Sequence, residues 1–227
     1  MVLRPDGDDA TICIGQASHA WITGQLARAW RDVEPYEDVC LAAEQHDVGW
    51  AEYDLAPELN PETGLPRSFM EIDFPTRMRI WEPAPHRLET HSLYAALLVS
   101  LHGTSLHRQM AEASDYVARQ TALQDGWIER LGTDREQVDG NRRRILVWDA
   151  LSLALCLRWD PFETDGLKLD RLDGERFTLD PWPFARDTVA TTCEGRRLAG
   201  RFDDEQALRD GLDRSPLVRL EFALEPA

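Results

Sequence analysis

The sequence predicts a mainly α protein: a helical core followed by a small β element at the C-terminus. Three observations carry this expectation. Apolar residues recur at helical spacing through the first two thirds of the chain. The run Ile145 to Leu157 is apolar on nearly every side. After Trp159-Asp160-Pro161 the pattern changes to short runs of β-branched, aromatic and leucine residues separated by Asp-Gly and Glu-Gly pairs.

Taken in order, Ala10 to Gln16 alternates Ile12 and Ile14 and reads as a short strand that could join the C-terminal β element. From Ser18, a candidate N-cap, Ile22, Leu26 and Trp30 repeat every four residues, with His19 at the inner edge of the buried face. A second helix is expected from about Asp38 to Val48, with Ala42, Ala43, His46, Asp47 and Trp50 on one side and Gly49 as its stop. Residues 51–85 hold six of the thirteen prolines and read as a long irregular segment, the kind of loop that shapes binding. A third helix starts near Glu89 and carries His91, Ala95, Leu98 and His102. A polar helical stretch follows from Ser105 to Leu131, and a further helix from Asp134 through Arg158. Phe177 to Leu179, Thr188 to Thr192 and Leu217 to Leu224 read as strands, with a short helix over Asp203 to Leu212. The expected domains are a helical metal-binding core, residues 1–160, and a small α/β extension, residues 161–227, packed on it.

Composition narrows the function. A net charge of −16 argues against nucleic acid as a main partner, since phosphate binding needs a basic face. The densest basic run, Arg142-Arg143-Arg144, reads as the solvated start of a helix. The longest apolar run is 13 residues and contains Asp149, short of the roughly 20 that span a membrane. The N-terminal residues lack the basic start and apolar stretch of a signal peptide, so a cytoplasmic location is expected. Cys13, Cys40, Cys156 and Cys193 are scattered and fit reduced thiols better than a disulfide framework or a cysteine-bound zinc. The remaining partner is a small-molecule substrate; a homo-oligomer stays open.

Four residues carry the chemistry. His19, the pair His46-Asp47 and Asp149 offer two imidazoles and two carboxylates from three helices, a mixed set that suits Mn, Fe, Co, Ni or Zn. Asp149 is the most telling, because it interrupts a helix that otherwise reads as buried all round, and a buried carboxylate must be paired, protonated or metal-bound. An arginine partner, for instance from Arg142 to Arg144, is the plainer account of it. His46-Asp47 alone could be a helix-terminal Asp beside a core histidine, and His19 alone a hydrogen-bonded core residue.

The order His19, His46-Asp47, Asp149 resembles the HD-domain superfamily of metal-dependent phosphohydrolases, and His46-Asp47-Val48-Gly49 resembles that superfamily's His-Asp-Ile-Gly core. Gln16 to Ala20, Gln45 to Trp50, Thr63 to Pro66, Tyr94 to His102 and Pro181 to Phe184 are similar, more closely, to an HD-like family of unknown function numbered 3891. The resemblance implies an HD-like helical bundle, with His19, His46, Asp47 and Asp149 holding one or two divalent transition-metal ions. It implies catalysis by metal-activated water on a small phosphorylated or nucleotide-like substrate. Asp47 and Asp149 would orient the water, and His102 would face a second metal or donate to the substrate phosphate or its leaving group. His86 is a weaker candidate for that role, while His91 and His107 read as structural or exposed. Trp50 stands where lysine often follows the superfamily motif. A phosphate would therefore need Arg67, Arg77, Arg79 or Arg87, and Trp50 itself could stack on a base or simply pack in the core. Three other outcomes follow from the same residues: a binding protein that holds metal without turnover, a di-iron oxygenase using His86, His91 and His102, and a metal-free structural protein.

Overall fold

The structure, a computed structural model, describes residues 1–227. It corrects the mainly α expectation. About 49% of the chain is helical and 22% lies in strands, and a curled, half-barrel sheet of seven strands makes this an α/β protein rather than an all-α bundle. In chain order the elements are β1 (Val2–Pro5), β2 (Ala10–Ile14), α1 (Gln16–Ala29), α2 (Tyr36–Gln45), α3 (Ala51–Leu55), β3 (Leu59–Asn60), β4 (Leu65–Pro66), α4 (Phe74–Trp81), α5 (Leu93–His107), α6 (Ser114–Leu131), α7 (Arg135–Leu157), β5 (Phe162–Thr164), β6 (Leu167–Asp173), β7 (Arg176–Asp180), β8 (Val189–Ala199), α8 (Glu205–Arg214) and β9 (Leu217–Pro226).

The large sheet runs β1-β2-β8-β9-β7-β6-β5. Every pairing is antiparallel except β7 with β9. Its two ends of sequence meet where β2 pairs with β8, Ala10 opposite Ala199 and Cys13 opposite Arg196. The strands hidden from the sequence reading are the short, charged ones. In β6 only Leu167 and Leu169 point inward while Lys168 and the aspartates face outward, so a two-residue alternation is masked by charge. Asp165 and Gly166, both at positive φ, form the two-residue turn that joins β5 to β6. Glu194-Gly195, read as a turn signal, instead lies inside β8.

The helices stand near their expected places, with shifted ends. Helix α1 begins at Gln16, and its N-cap is Gly15 rather than Ser18. The carboxylate of Asp54 on α3 accepts from the Gln16 amide at 2.5 Å, filling the capping role that glycine cannot. Ser18 ties α1 to the sheet instead: its hydroxyl donates to the Glu194 carbonyl at 2.6 Å and accepts from the Glu194 amide. One helical stretch further on, Gln25 clasps the backbone of Thr192 through both its amide atoms. Helix α2 stops at Gln45, earlier than expected, and Val48–Trp50 continues as a single 3-10 turn. Residues 51–85 are not one irregular loop but hold α3, the small β3–β4 hairpin and α4. Helix α5 starts at Leu93, leaving His91 in the turn before it, and it extends to His107; α6 starts at Ser114 rather than Ser105.

The main core is shared by α1, α2, α5, α7 and the inner face of the sheet, with Trp148, Phe177, Phe184 and Phe222 fully buried. No helix is long and apolar enough to cross a membrane. All four cysteines are free and buried.

Candidate metal centre

Three helices and one helix end converge inside this core. His19 comes from the first turn of α1, His46 and Asp47 from the C-terminal end of α2, His102 from α5 and Asp149 from the middle of α7. The close crossing of α1 and α2 depends on Gly24, where a Cβ would stand 2.7 Å from the Cβ of Glu44. Gly49 performs the same service after the His-Asp pair. A Cβ there would lie 2.3 Å from the Ile80 carbonyl, so only glycine lets the turn pack on α4. The carbonyl of Val48 accepts from Arg87, which also pairs with Glu52. The His46-Asp47 segment is thereby pinned from both sides.

The donor atoms cluster tightly. Nε2 of His19 is 2.7 Å from Oδ2 of Asp47. Nε2 of His46 is 3.6 Å from the same oxygen and 3.4 Å from Oδ1 of Asp149. Nε2 of His102 is 3.6 Å from Oδ2 of Asp149, and Nδ1 of His19 is 3.9 Å from Oδ1. Neighbouring ligands bound at about 2.1 Å would stand about 3.0 Å apart in an octahedral shell and about 3.4 Å in a tetrahedral one. The separations of 3.4 to 3.6 Å are on the scale of a coordination polyhedron, while the 2.7 Å contact of His19 with Asp47 is a hydrogen bond. Every one of these residues is buried, Asp149 being the most exposed at 8%.

The hydrogen-bond network fixes which ring nitrogens face inward. Nδ1 of His46 lies 2.8 Å from the Ala43 carbonyl, which can only accept, so Nδ1 carries the proton and Nε2 the lone pair of the neutral ring. That Nε2 is buried without a hydrogen-bond partner. Nδ1 of His19 lies 2.9 Å from Oγ of Ser152. Ser152 gives its one proton to the Asp149 carbonyl at 2.8 Å and accepts from Thr23. It thus receives the Nδ1 proton of His19 and turns Nε2 inward, where it is hydrogen-bonded to Oδ2 of Asp47 at 2.7 Å. Both nitrogens of His102 are unpartnered. A buried nitrogen beside two carboxylates is satisfied by a proton or a metal ion, and imidazoles oriented through their second nitrogen are the usual support of a metal site. The residues fit a divalent transition metal on these grounds.

The electrostatics say the same of the metal-free state. Burial would lower the pKa of His46, but the carboxylates of Asp47 and Asp149 outweigh it and raise it to about 9, so a proton stands where the ion would be. Burial, reinforced by the charge on His46, pushes His102 down to about 4 and keeps it neutral. For Asp149 burial acts to raise the pKa, and the surrounding histidines, His46 foremost, more than reverse this and hold it well below the usual carboxylate range.

All four expected ligands come together, and His102 joins them. Asp149 faces three imidazoles rather than an arginine: Arg142 pairs with Asp139 and donates to Ser105, and Arg144 donates to the Asp32 carbonyl. The other histidines stay outside. His86 pairs with Glu89 on the surface beside Trp127, and His91 is exposed. His107 is buried but bonded to the Gly103 carbonyl, between Trp81 and Tyr116. Trp50 packs with Ile72, Ile80, Trp81 and Tyr116, the plain core role. Arg67 pairs with Glu58, while Arg77 and Arg79 bond within their own segment. Ser152 and Thr23 escaped the sequence reading. The legible signals were spacing: Ser152 is three residues after Asp149 in the same apolar run, and Thr23 four residues after His19.

The fold and site define an α/β protein built around a buried histidine–aspartate centre. The chain belongs to a family of proteins of unknown function, DUF3891, whose model matches residues 1–200. No curated protein and no solved structure matches it.

Proposed function

We propose that the protein is a metal-dependent hydrolase of the HD type acting on a small phosphorylated or nucleotide-like substrate. One observation carries the reading: the buried Nε2 of His46 has no hydrogen-bond partner and stands 3.6 and 3.4 Å from carboxylate oxygens of Asp47 and Asp149. The resemblance of His19, His46-Asp47 and Asp149 to the HD pattern supports it, and names the reaction class. His19, His46, Asp47 and Asp149 would hold the ion. When bound, a divalent ion lowers the pKa of water towards about 7 and polarises a phosphoryl oxygen.

The chain's own residues supply the rest. Asp47 and Asp149 would accept hydrogen bonds from the attacking water and orient it. Ser152 and the Ala43 carbonyl hold the two imidazoles against rotation. Trp81 lies 5.7 Å from the ring of His102 and forms an apolar wall on that side.

The test is elemental analysis of protein purified without added metal or chelator, beside Asp47→Ala and Asp149→Ala. Bound transition metal, lost in both variants, together with metal-dependent turnover of a phosphomonoester, phosphodiester or nucleotide panel, supports the reading. Metal without turnover of any member favours the second reading, a metal-holding protein that does no chemistry. The depth of the centre speaks for that alternative, since four of the five residues are at most 4% exposed. An oxygenase with two irons would need more histidines at the centre, and of His86, His91 and His102 only the last reaches it.

A further inference from the structure

We propose that His102 is a fifth donor to a single ion, so that the centre is mononuclear with three imidazoles and two carboxylates. The proposal rests on the metal reading above and assigns His102 to the ion rather than to the substrate.

The candidate donors fall into two groups whose atoms all lie within 4.8 Å of one another: His19, His46 and Asp47, and His46, His102 and Asp149. Both groups contain His46, and His46 has one nitrogen to give. Its Nδ1 proton is committed to the Ala43 carbonyl, and the remaining lone pair on Nε2 can bind one ion. Two ions would divide the groups and leave one of them with an imidazole and a carboxylate alone. Donors on one ion stand at most about 4.2 Å apart, so a single ion that uses every donor requires the two groups to draw together around the nitrogen of His46 that they share. Asp149 is shaped for this sharing, with Oδ1 turned to His46 and Oδ2 to His102, at 3.4 and 3.6 Å.

The rings are arranged to suit. His46 lies edge-on to both neighbours, 5.2 Å from His19 and 4.7 Å from His102 between ring centres, with interplanar angles of 78° and 70°. Edge-to-face pairing is also an ordinary packing geometry, so it is the nitrogens that decide: His46 and His102 both turn theirs to the Asp149 carboxylate. His102 is 1% exposed, and neither of its nitrogens has a partner. A histidine kept only for packing would leave both polar atoms unsatisfied at about 1–3 kcal/mol each.

Five donors exceed the four of a closed zinc site and fit an ion that accepts five or six, such as Mn(II), Fe(II) or Co(II). In a six-coordinate shell one position is left, enough for one water or one anionic oxygen.

The experiment is titration of chelator-stripped protein with Co(II), followed by visible absorption and by equilibrium dialysis. The expected result is one ion per chain, with the weak bands of five- or six-coordinate cobalt. His102→Ala should bind at least about tenfold more weakly, with a changed spectrum. His102→Gln, which retains side-chain bulk, should lose affinity likewise while circular dichroism reports an unchanged fold. Two ions per chain overturn the proposal, as does a folded His102→Gln protein with the affinity and spectrum of the parent. No cobalt bound by the parent protein overturns the metal reading itself, and this assignment with it.

Discussion

The ring of His46 is oriented by Ala43, whose carbonyl accepts the Nδ1 proton at 2.8 Å from three residues earlier in the chain. The bond exists because α2 ends at Gln45, and the last carbonyls of a helix have no intrahelical partner. A helix end thus supplies the acceptor that turns the other nitrogen towards Asp47 and Asp149. In the metal-free protein that nitrogen is protonated at neutral pH, because the two carboxylates overcome the effect of burial and hold the pKa at about 9. Metal must displace this proton. Uptake of one ion at pH 7 should therefore release about one proton from His46, measured by calorimetric titration in buffers of different ionisation enthalpy. Release that is absent in the parent, or unchanged in His46→Gln, would contradict this account.

The same groups set the pH dependence of stability without metal. His46 is raised above its unfolded value, so its contribution is fully present below about pH 6.5 and is lost as pH rises through about 9. His102 is depressed by burial and by the charge on His46, so falling pH favours the unfolded chain, which binds the proton first, between about 6.5 and 4. Both effects place the maximum near pH 6.5, with each limb worth on the order of 3 kcal/mol. Thermal melts of stripped protein from pH 4 to 10 should show this dome. His46→Gln should flatten the alkaline limb and, by removing a charge that depresses His102, weaken the acid limb as well; saturating metal should remove the alkaline limb.

Ser152 touches no candidate donor oxygen, yet it decides how His19 is presented, since it accepts from Nδ1 while its own proton goes to the Asp149 carbonyl. Ser152→Ala deletes the acceptor and leaves all five donors in place. The expected loss is about 10- to 100-fold in metal affinity, with stability lowered by about 1–3 kcal/mol from the unpaired buried groups. Dialysis against a metal buffer reads the first and urea melts the second. An unchanged affinity would mean that His19 is not a donor.

How far these features were legible follows from the range of the signals that encode them. His19, His46, Asp47 and Asp149 could be picked out because each is a polar residue set in an apolar helical pattern, and the helices that carry them lie close to where periodicity placed them. The seven-stranded sheet could not be assembled the same way. One pairing joins Ala10–Cys13 to Arg196–Ala199, and no local pattern records a partner so distant in the chain. Strand β1 is short and β6 is highly charged, so burial of Val2, Leu167 and Leu169 shows only once the neighbouring strands are in place. Ser152 and Thr23 were equally hidden, since a hydroxyl on a buried helix gives no sign of which ring it will meet.

That long-range pairing makes the sheet part of the site. Helix α1 carries His19 and is held on β8 by two side chains that bond strand backbone, Ser18 at Glu194 and Gln25 at Thr192. A fragment ending at residue 160 keeps all five donor residues but loses β8, and with it the partner of β2 and the floor beneath α1. It also exposes the inner faces of Trp148 and Leu155, which pack in the core shared with Phe222 and Leu224. Exposure of such side chains costs about 1.5–3 kcal/mol each, on the scale of the whole stability of a domain when several are affected. Residues 1–160 expressed alone should lack cooperative unfolding and bind no metal at concentrations that saturate the full chain. Calorimetry and dialysis on the two proteins side by side decide this. A fragment that melts cooperatively and takes up one ion would mean that α1, α2, α5 and α7 position the centre by themselves, with the sheet only resting against them.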